Sequence, residues 1–271
     1  MITFSVITVT YNAAALCEQT FRSVAEQTHP YVEHLIMDGA SKDNTLELAK
    51  AYQEGNHIGA SNHKVKVFSE PDGGLYDAMN KGLRQATGDY VVFLNAGDVF
   101  PSSSTLELIS DTIKASDPQP STLDSRPLPA VVYGDTDVVD DDYHVLCRRK
   151  GNVPDKLSWR SFRRGMLVCH QAFYARTDIA KLTPYNIKYR YSADVDWCIR
   201  IMKEAAAQHL PLVNVHATIA YFQQGGMTTI HHRASLKERF RVMTDHYGLF
   251  VTLLSHAWFV VKAIIKKART I

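Results

Sequence analysis

The chain is short of cysteine. Its four (Cys17, Cys147, Cys169 and Cys198) lie far apart with no CxxC pair. That argues against a zinc site or a disulfide framework and suits a reducing compartment. Excess charge is also lacking: 30 Lys and Arg against 28 Asp and Glu leave +2, so no nucleic-acid footprint is implied. No run of about 20 uninterrupted apolar residues exists, so no membrane-spanning helix is expected. The opening MITFSVITVTYN has neither a basic n-region nor a cleavage site and reads as a first strand, not a signal peptide. Also missing are GxGxxG after that strand and GxxxxGK(S/T) anywhere, the two commonest backbone cradles for phosphate. A phosphorylated ligand would have to rely on a metal ion and side chains.

What is present is a core. The sequence has 271 residues, 45% apolar and 21% charged, enough for one large domain or two small ones. Strand-like and helix-like segments alternate through the first hundred residues. FSVITVTY, VEHLIMDG, VKVFSEP and DYVVFLNAGD read as strands. AAALCEQTFRSVAEQ, DNTLELAKAYQ and LYDAMNKGLRQAT read as helices, the second capped by Asp43 or Asn44 and the third closed by Gly88. This order predicts an α/β fold, a doubly wound and mostly parallel sheet with right-handed crossovers. Farther on come a helix in SSSTLELISDTIKA, a Pro- and Ser-rich loop, a hairpin from AVVYGDTDVV and YHVLCRRKG, a helix in ADVDWCIRIMKEAAAQ and a strand in PLVNVHATIAYFQ.

Ligands of open α/β sheets bind beyond the carboxyl ends of the strands. Those ends carry Thr10, Tyr11 and Asn12, then Asp38, then Glu70 and Asp72, then Asn95 and Asp98. Carboxylates gathered at neighbouring strand ends repel unless they are hydrogen-bonded or neutralised by a cation. A hard divalent ion, Mg²⁺ or Mn²⁺, with one carboxylate and the phosphates of a substrate satisfies that requirement. Asp98 is the metal candidate; the alternative makes it a turn residue before Pro101.

The motifs SVITVTYN, MDGASKDNT, SEPDGGLYDAMNKGLRQATGDYVVFLNAGD and SADVDW, in that order, resemble those of family-two glycosyltransferases with the GT-A fold. The likeness is dense over about the first hundred residues and thinner as far as GGMT near residue 228. It implies an inverting transferase that takes a sugar from a nucleotide-sugar, often a UDP-sugar. Tyr11 and Asp38 would then meet the base, and Asp72 the base or ribose. Asp77, Asn80 and Lys81 would approach the sugar or diphosphate from the following helix. The alternatives are a turn-stabilising role for Asp38 and a solvated helix face for Lys81. Where the family usually carries a DxD-type motif, this chain has Asn95-Ala96-Gly97-Asp98. Asn95 can still bond a ribose hydroxyl, and Asp98 alone remains to hold metal.

The same resemblance maps the catalytic base onto Asp194, with Asp196 as runner-up; otherwise Asp194 merely complements the helix N-terminus. His170 and Gln171 would line the acceptor pocket or meet the diphosphate. His216, His231 and His232 are weaker contacts, Trp159 and Arg163 could meet an acceptor sugar or lipid phosphate, and GGMT (225–228) could close over the donor. The expected organisation is a nucleotide-sugar-binding half (1–100), an acceptor and catalytic-base half (101–230) and a helical tail (231–271). YGLFVTLLSHAWFVVKAIIKKARTI crowds apolar residues before Lys262, Lys266, Lys267 and Arg269. That pattern suits a helix lying in a membrane interface, and hence a cytoplasmic protein peripheral to the inner face of the plasma membrane; packing on the core or on a partner chain is the alternative. The expected partners are the donor, a glycan or lipid-linked acceptor and the membrane surface. A sugar nucleotidyltransferase would need a Gly-rich basic loop where TYNAAAL stands, and a non-catalytic nucleotide-sugar-binding scaffold is the other alternative.

Overall fold

The runs FSVITVT and VEHLIMD are buried at every position, as strands covered on both faces must be. They form β1 (Phe4–Thr10) and β2 (Val32–Asp38) of a sheet seen in a computed structural model that describes residues 1–55, 63–116, 128–149, 153–224 and 232–268. Between and after them come α1 (Ala14–Ala25), α2 (Thr45–Gly55), β3 (Lys64–Ser69), α3 (Leu75–Gln85), β4 (Tyr90–Phe93) and α4 (Thr105–Ala115). The remainder comprises β5 (Val131–Val139), β6 (Val145–Arg148), 3-10 turns at Trp159–Arg164 and His170–Ala172, β7 (Phe173–Arg176), α5 (Thr177–Leu182), α6 (Ala193–Ala207), β8 (Leu212–Gln223), α7 (His232–Tyr247) and α8 (Leu249–Ala268).

The sheet runs β3-β2-β1-β4-β7-β5-β6, with β8 paired to β5. Strands β1 to β4 are parallel, as the alternating pattern predicts, and the register sets Thr10 opposite Asp38 and Asp38 opposite Ser69. From β7 onward the sheet is mixed. β7 runs antiparallel to β4 and β5, the expected hairpin β5–β6 is antiparallel, and β8 is parallel to β5 with two register shifts. One core spans both halves. It contains Phe4, Phe93 and Tyr133 from the sheet and Trp197 from α6, all fully buried.

Asp43 caps α2 as its sequence suggests, its Oδ1 accepting from the Thr45 N–H at 3.1 Å. Gly88 does not close α3. The helix ends at Gln85, and Ala86 is already extended at ψ 134°. Gly88 is required instead because the chain drops tightly beside β1: a Cβ there would lie 2.8 Å from Phe4 C and Ser5 N. Its N–H donates to Ser5 Oγ at 2.8 Å. Gly88→Ala must push backbone apart, which costs about 1–3 kcal/mol. In a domain of this size thermal unfolding should fall by roughly 2–4 °C per kcal/mol; an unchanged midpoint would contradict the packing.

Helix α8 follows α7 after Gly248, which has φ 81°. Its orientation inverts the usual surface pattern: Thr252 is buried and Ser255 and His256 are half-buried, while Leu249, Phe250, Leu253, Leu254 and Trp258 are more than half exposed. No helix among the described residues is long and apolar enough to cross a membrane. The GGMT segment, His231 and most of the Pro- and Ser-rich stretch lie outside the described residues.

Candidate active site

Parallel pairing brings the ends of β1, β2 and β3 together, and Asp38 ties them. Its carboxylate accepts from Thr10 Oγ1 (3.3 Å), Ser69 Oγ (2.7 Å), the Ser41 N–H (3.1 Å) and Ser41 Oγ. These four donors fill the lone-pair sites a carboxylate offers, so Asp38 is placed as the turn-stabilising alternative describes. Asn12, with φ 48°, joins the β1 and β2 loops: its N–H donates to Ser41 Oγ and its Oδ1 accepts from the Lys42 N–H at 2.8 Å. Tyr11 stands at the mouth, 61% exposed.

Opposite lies the Asp72-Gly73-Gly74 turn. Asp72 Oδ1 accepts from the Gly74 N–H (2.8 Å) and Asp77 Oδ2 from the Gly73 N–H (2.9 Å). A Cβ on Gly39 would meet Asp72 Oδ2 at 2.5 Å and the Tyr11 ring at 3.3 Å, so a glycine at 39 leaves room for both. Lys81 turns to Glu70 (2.9 Å) and to the Pro71 carbonyl (2.7 Å). Asn80 requires a correction. Its amide is buried and held by the Tyr185 backbone, accepting from N–H at 2.7 Å and donating to the carbonyl at 2.9 Å, so it ties α3 to the second half of the chain and is turned from the crevice.

The fourth strand end meets the second half of the chain. Thr20 of α1 clamps the Asn95–Asp98 turn, donating to the Asp98 carbonyl (2.8 Å) and accepting from the Gly97 N–H (3.0 Å). Gly97 has φ 95°, and a Cβ would fall 2.5 Å from Gln223 Oε1. The positive φ strains any side chain at 97, and the Gln223 amide would have to move aside, so an acid there is disfavoured where the DxD pattern would place one. Asp98 is 5% exposed and accepts from Gln171 Nε2 at 2.8 Å. Burial pushes its carboxyl up to about 6, against the opposing pull of Gln171, of the His170 and Arg149 charges, and of the Gln223 backbone.

Asn95 Nδ2 donates to His170 Nε2 at 3.2 Å. The other ring nitrogen of His170, Nδ1, lies 3.6 Å from Asp194 Oδ2, and the Tyr76 hydroxyl donates to Asp194 Oδ1 at 3.3 Å. Burial alone would raise the Asp194 carboxyl; the His170 hydrogen bond and charge, the Arg239 charge and the Val195 N–H hold it below the usual range. Asp194 is therefore a carboxylate at neutral pH, partly accessible and directed by two side chains. Asp196, the runner-up, is spent: His246 Nε2 lies 2.8 Å and Arg200 Nε 2.7 Å from its oxygens.

Four polar atoms of residues around this site are buried with no partner among the described residues: Asn95 Oδ1, Gln171 Oε1, an Arg149 guanidinium nitrogen and Arg239 Nε. No group of three or more His, Cys, Asp or Glu that could hold a metal occurs among the described residues. Asp98 with the amide oxygens of Asn95 and Gln171 is nonetheless a set of hard oxygen donors, fit for an ion that keeps several sites for phosphate. Sequence reasoning missed Tyr76, Arg149 and Arg239. Only the packing of distant segments brings them here. The Trp159 ring stacks on Tyr247 at 5.8 Å, with Arg160 (4.5 Å) and Lys203 (5.0 Å) against it. His216 is on β8, its Nδ1 3.6 Å from Asp155 Oδ1, and His232 is the exposed first residue of α7.

Residues 5–119 match the family model for glycosyl transferase family 2. A PGL/p-HBAD biosynthesis glycosyltransferase of Mycobacterium bovis is 33% identical over 259 residues, 94% of this chain and 90% of that protein. The chain belongs to glycosyl transferase family 2. It is thus a glycosyltransferase, and solved glycosyltransferase structures share its fold. S. aureus TarS 1-349 in complex with UDP-GlcNAc aligns with a TM-score of 0.66 at 16% identity, covering 95% of this chain and 73% of that one. The mannosyltransferase PcManGT of Pyrobaculum calidifontis, in complex with GDP-Man and Mn²⁺, aligns at 0.59 and 17%, covering 99% and 80%. The fold is GT-A, as the motif order implies.

Proposed function

We propose that this chain moves a sugar, with inversion, from a UDP-sugar to a hydroxyl of a glycan or lipid-linked acceptor in the building of a cell-surface glycan. One observation carries the reading: an ionised, side-chain-directed Asp194 faces the Asn95–Asp98 strand end through His170. Asp194 takes the proton of the attacking hydroxyl as its oxygen bonds to the sugar C1 and the C1–O bond to the diphosphate breaks, the nucleoside diphosphate leaving with the electron pair. The transition state is oxocarbenium-like, as in glycoside hydrolysis. Tyr11 offers a ring for the base and Asp72 an acceptor for base or ribose, while Thr10, Asn12 and Asp38 hold the floor. Arg149, stacked 3.8 Å from the Phe222 ring centre, brings a positive charge toward the diphosphate. Asp98, Asn95 and Gln171 would hold Mn²⁺ or Mg²⁺, which when bound neutralises charge on the leaving group.

Membrane attachment is part of the proposal. The outward apolar face of α8, followed in sequence by Lys262, Lys266, Lys267 and Arg269, supports a helix lying on an anionic inner leaflet. A non-catalytic scaffold would need no directed base, and the His170–Asp194 pair favours the enzyme.

The test is incubation with a panel of UDP- and GDP-sugars plus bacterial lipid extract, with Mn²⁺ or with a chelator. Nucleoside diphosphate should be released with one donor class, faster with acceptor, and chelation should stop it. Binding of donors without release under any condition would sink the enzymatic reading; release unaffected by chelator would remove the metal alone.

A further inference from the structure

The backbone that carries the base is fastened from a helix far along the chain. Arg190, Tyr191 and Ser192 lead into α6, and all three backbone N–H groups converge on the carboxylate of Glu238 in α7. Arg190 donates to Oε1 at 2.7 Å, and Tyr191 and Ser192 to Oε2 at 2.6 and 2.9 Å. Ser192 is the N-cap of α6 yet caps nothing with its own side chain, and its hydroxyl is directed instead to the Ser235 carbonyl at 3.2 Å. Helix N-termini leave their first amides without intrahelical partners, and a negative charge there is favoured. Here that charge comes from another helix, two residues ahead of Asp194.

The same helix reaches the first turn of α6 at two further places. The charge of Arg239 holds the Asp194 carboxyl down, and His246 Nε2 lies 2.8 Å from Asp196 Oδ1. Charge-assisted hydrogen bonds are roughly twice as strong as neutral ones, and three on one carboxylate leave the 190–192 segment little freedom. A catalytic group displaced by about 1 Å can cost on the order of 10²-fold in rate.

We propose that Glu238 is a positioning residue for the transfer reaction: it fixes the place of Asp194 by anchoring the backbone just before it. The proposal rests on the reading of Asp194 as base. It predicts a defect in turnover, not in donor binding, because the strand ends proposed to bind the nucleotide belong to a separate set of loops.

The experiment compares the full chain with Glu238→Ala, Glu238→Gln, Asp194→Asn and the double variant Asp194→Asn/Glu238→Ala. It measures kcat and KM for transfer, and affinity and stoichiometry for UDP with Mn²⁺ by calorimetry. Glu238→Ala should lower kcat about 100-fold per UDP-binding site, with UDP affinity within about twofold. Glu238→Gln, whose amide oxygen still accepts but without the charge, should fall between it and the parent. If Glu238 acts through Asp194, the double variant should be no slower than Asp194→Asn alone. Losses that multiply in the double variant, or a Glu238→Ala kcat equal to the parent's per binding site, would overturn the proposal. Should Glu238→Ala not fold, the same comparison with Glu238→Gln decides: a parent-like kcat overturns the proposal, and a fall of about tenfold that vanishes on the Asp194→Asn background sustains it. A fully active Asp194→Asn chain would instead defeat the base assignment itself.

Discussion

Asp194→Asn should lower kcat by about 10²- to 10⁴-fold, the range contributed by a positioned general base, while UDP affinity stays within about twofold. The amide keeps the shape and can still meet the Tyr76 hydroxyl and His170, so the loss isolates the lone pair that takes the proton. Binding is spared because the nucleotide groups sit at other strand ends. The pH dependence follows from the groups around the carboxyl. Burial opposes its ionisation, but His170, Arg239 and the Val195 N–H outweigh that and depress it; Tyr76, its own hydroxyl pushed well above the ordinary value by burial and by Asp194, stays a donor. A depressed carboxylate contributes stability that is present above its unfolded value and lost as pH falls through the folded one. Activity should therefore not show an acid limb from Asp194 in the ordinary carboxylate range, about 4. Initial rates from about pH 3.5 to 7 with the parent and Asp194→Asn chains check both statements, and a substitution that leaves kcat intact refutes the assignment.

Asp98→Asn should have the second largest effect, and a double one. Metal-supported turnover should be lost, since the only carboxylate proposed to hold the ion is gone. The metal-free protein should at the same time become more stable at pH 7.5. The direction is set by burial, which lifts the Asp98 carboxyl from 3.8 to about 6. A raised folded value contributes stability that is present below the unfolded value and lost as pH rises through the folded one. The difference of about two units corresponds to about 3 kcal/mol of strain at neutral pH in the absence of a cation, at about 1.4 kcal/mol per unit. In a chain this long, that is roughly 6–12 °C in the unfolding midpoint. Thermal unfolding of both chains without metal at pH 5 and 7.5 tests it: a full gain from the substitution at pH 7.5 and about half of it at pH 5 are expected, and no gain at either would show that the carboxylate is compensated by the protein alone. Function here is held at the expense of stability, as strained sites often are.

The first half of the fold was legible because parallel strands buried on both faces write long apolar runs, and FSVITVT and VEHLIMD leave little ambiguity. The hairpin of β5 and β6 was legible too, but the antiparallel turn of the sheet at β7 depends on pairings with β4 and β5 that lie far along the chain. The strand-end rule picks out the rim residues as a class. It could not say which would be consumed by the protein, because the donors to Asp38 come from register and those to Asn80 from Tyr185, more than 100 positions away. Asp194 is singled out through its motif. Its director His170 was singled out for another task, and its anchor Glu238 left no mark in the sequence, because a glutamate on a mixed, highly charged helix looks like any solvated one.

The amide at position 95 has a chemical price that a reversion to the acidic motif would reveal. Its Nδ2 lies 3.2 Å from His170 Nε2, and the other ring nitrogen of that imidazole is 3.6 Å from Asp194 Oδ2. A carboxylate at 95 would set a second acid against the same ring, and like charges gathered that closely repel. The imidazole would then be shared between two acids, so the side chain that directs the base is kept for it by a residue that never touches the base.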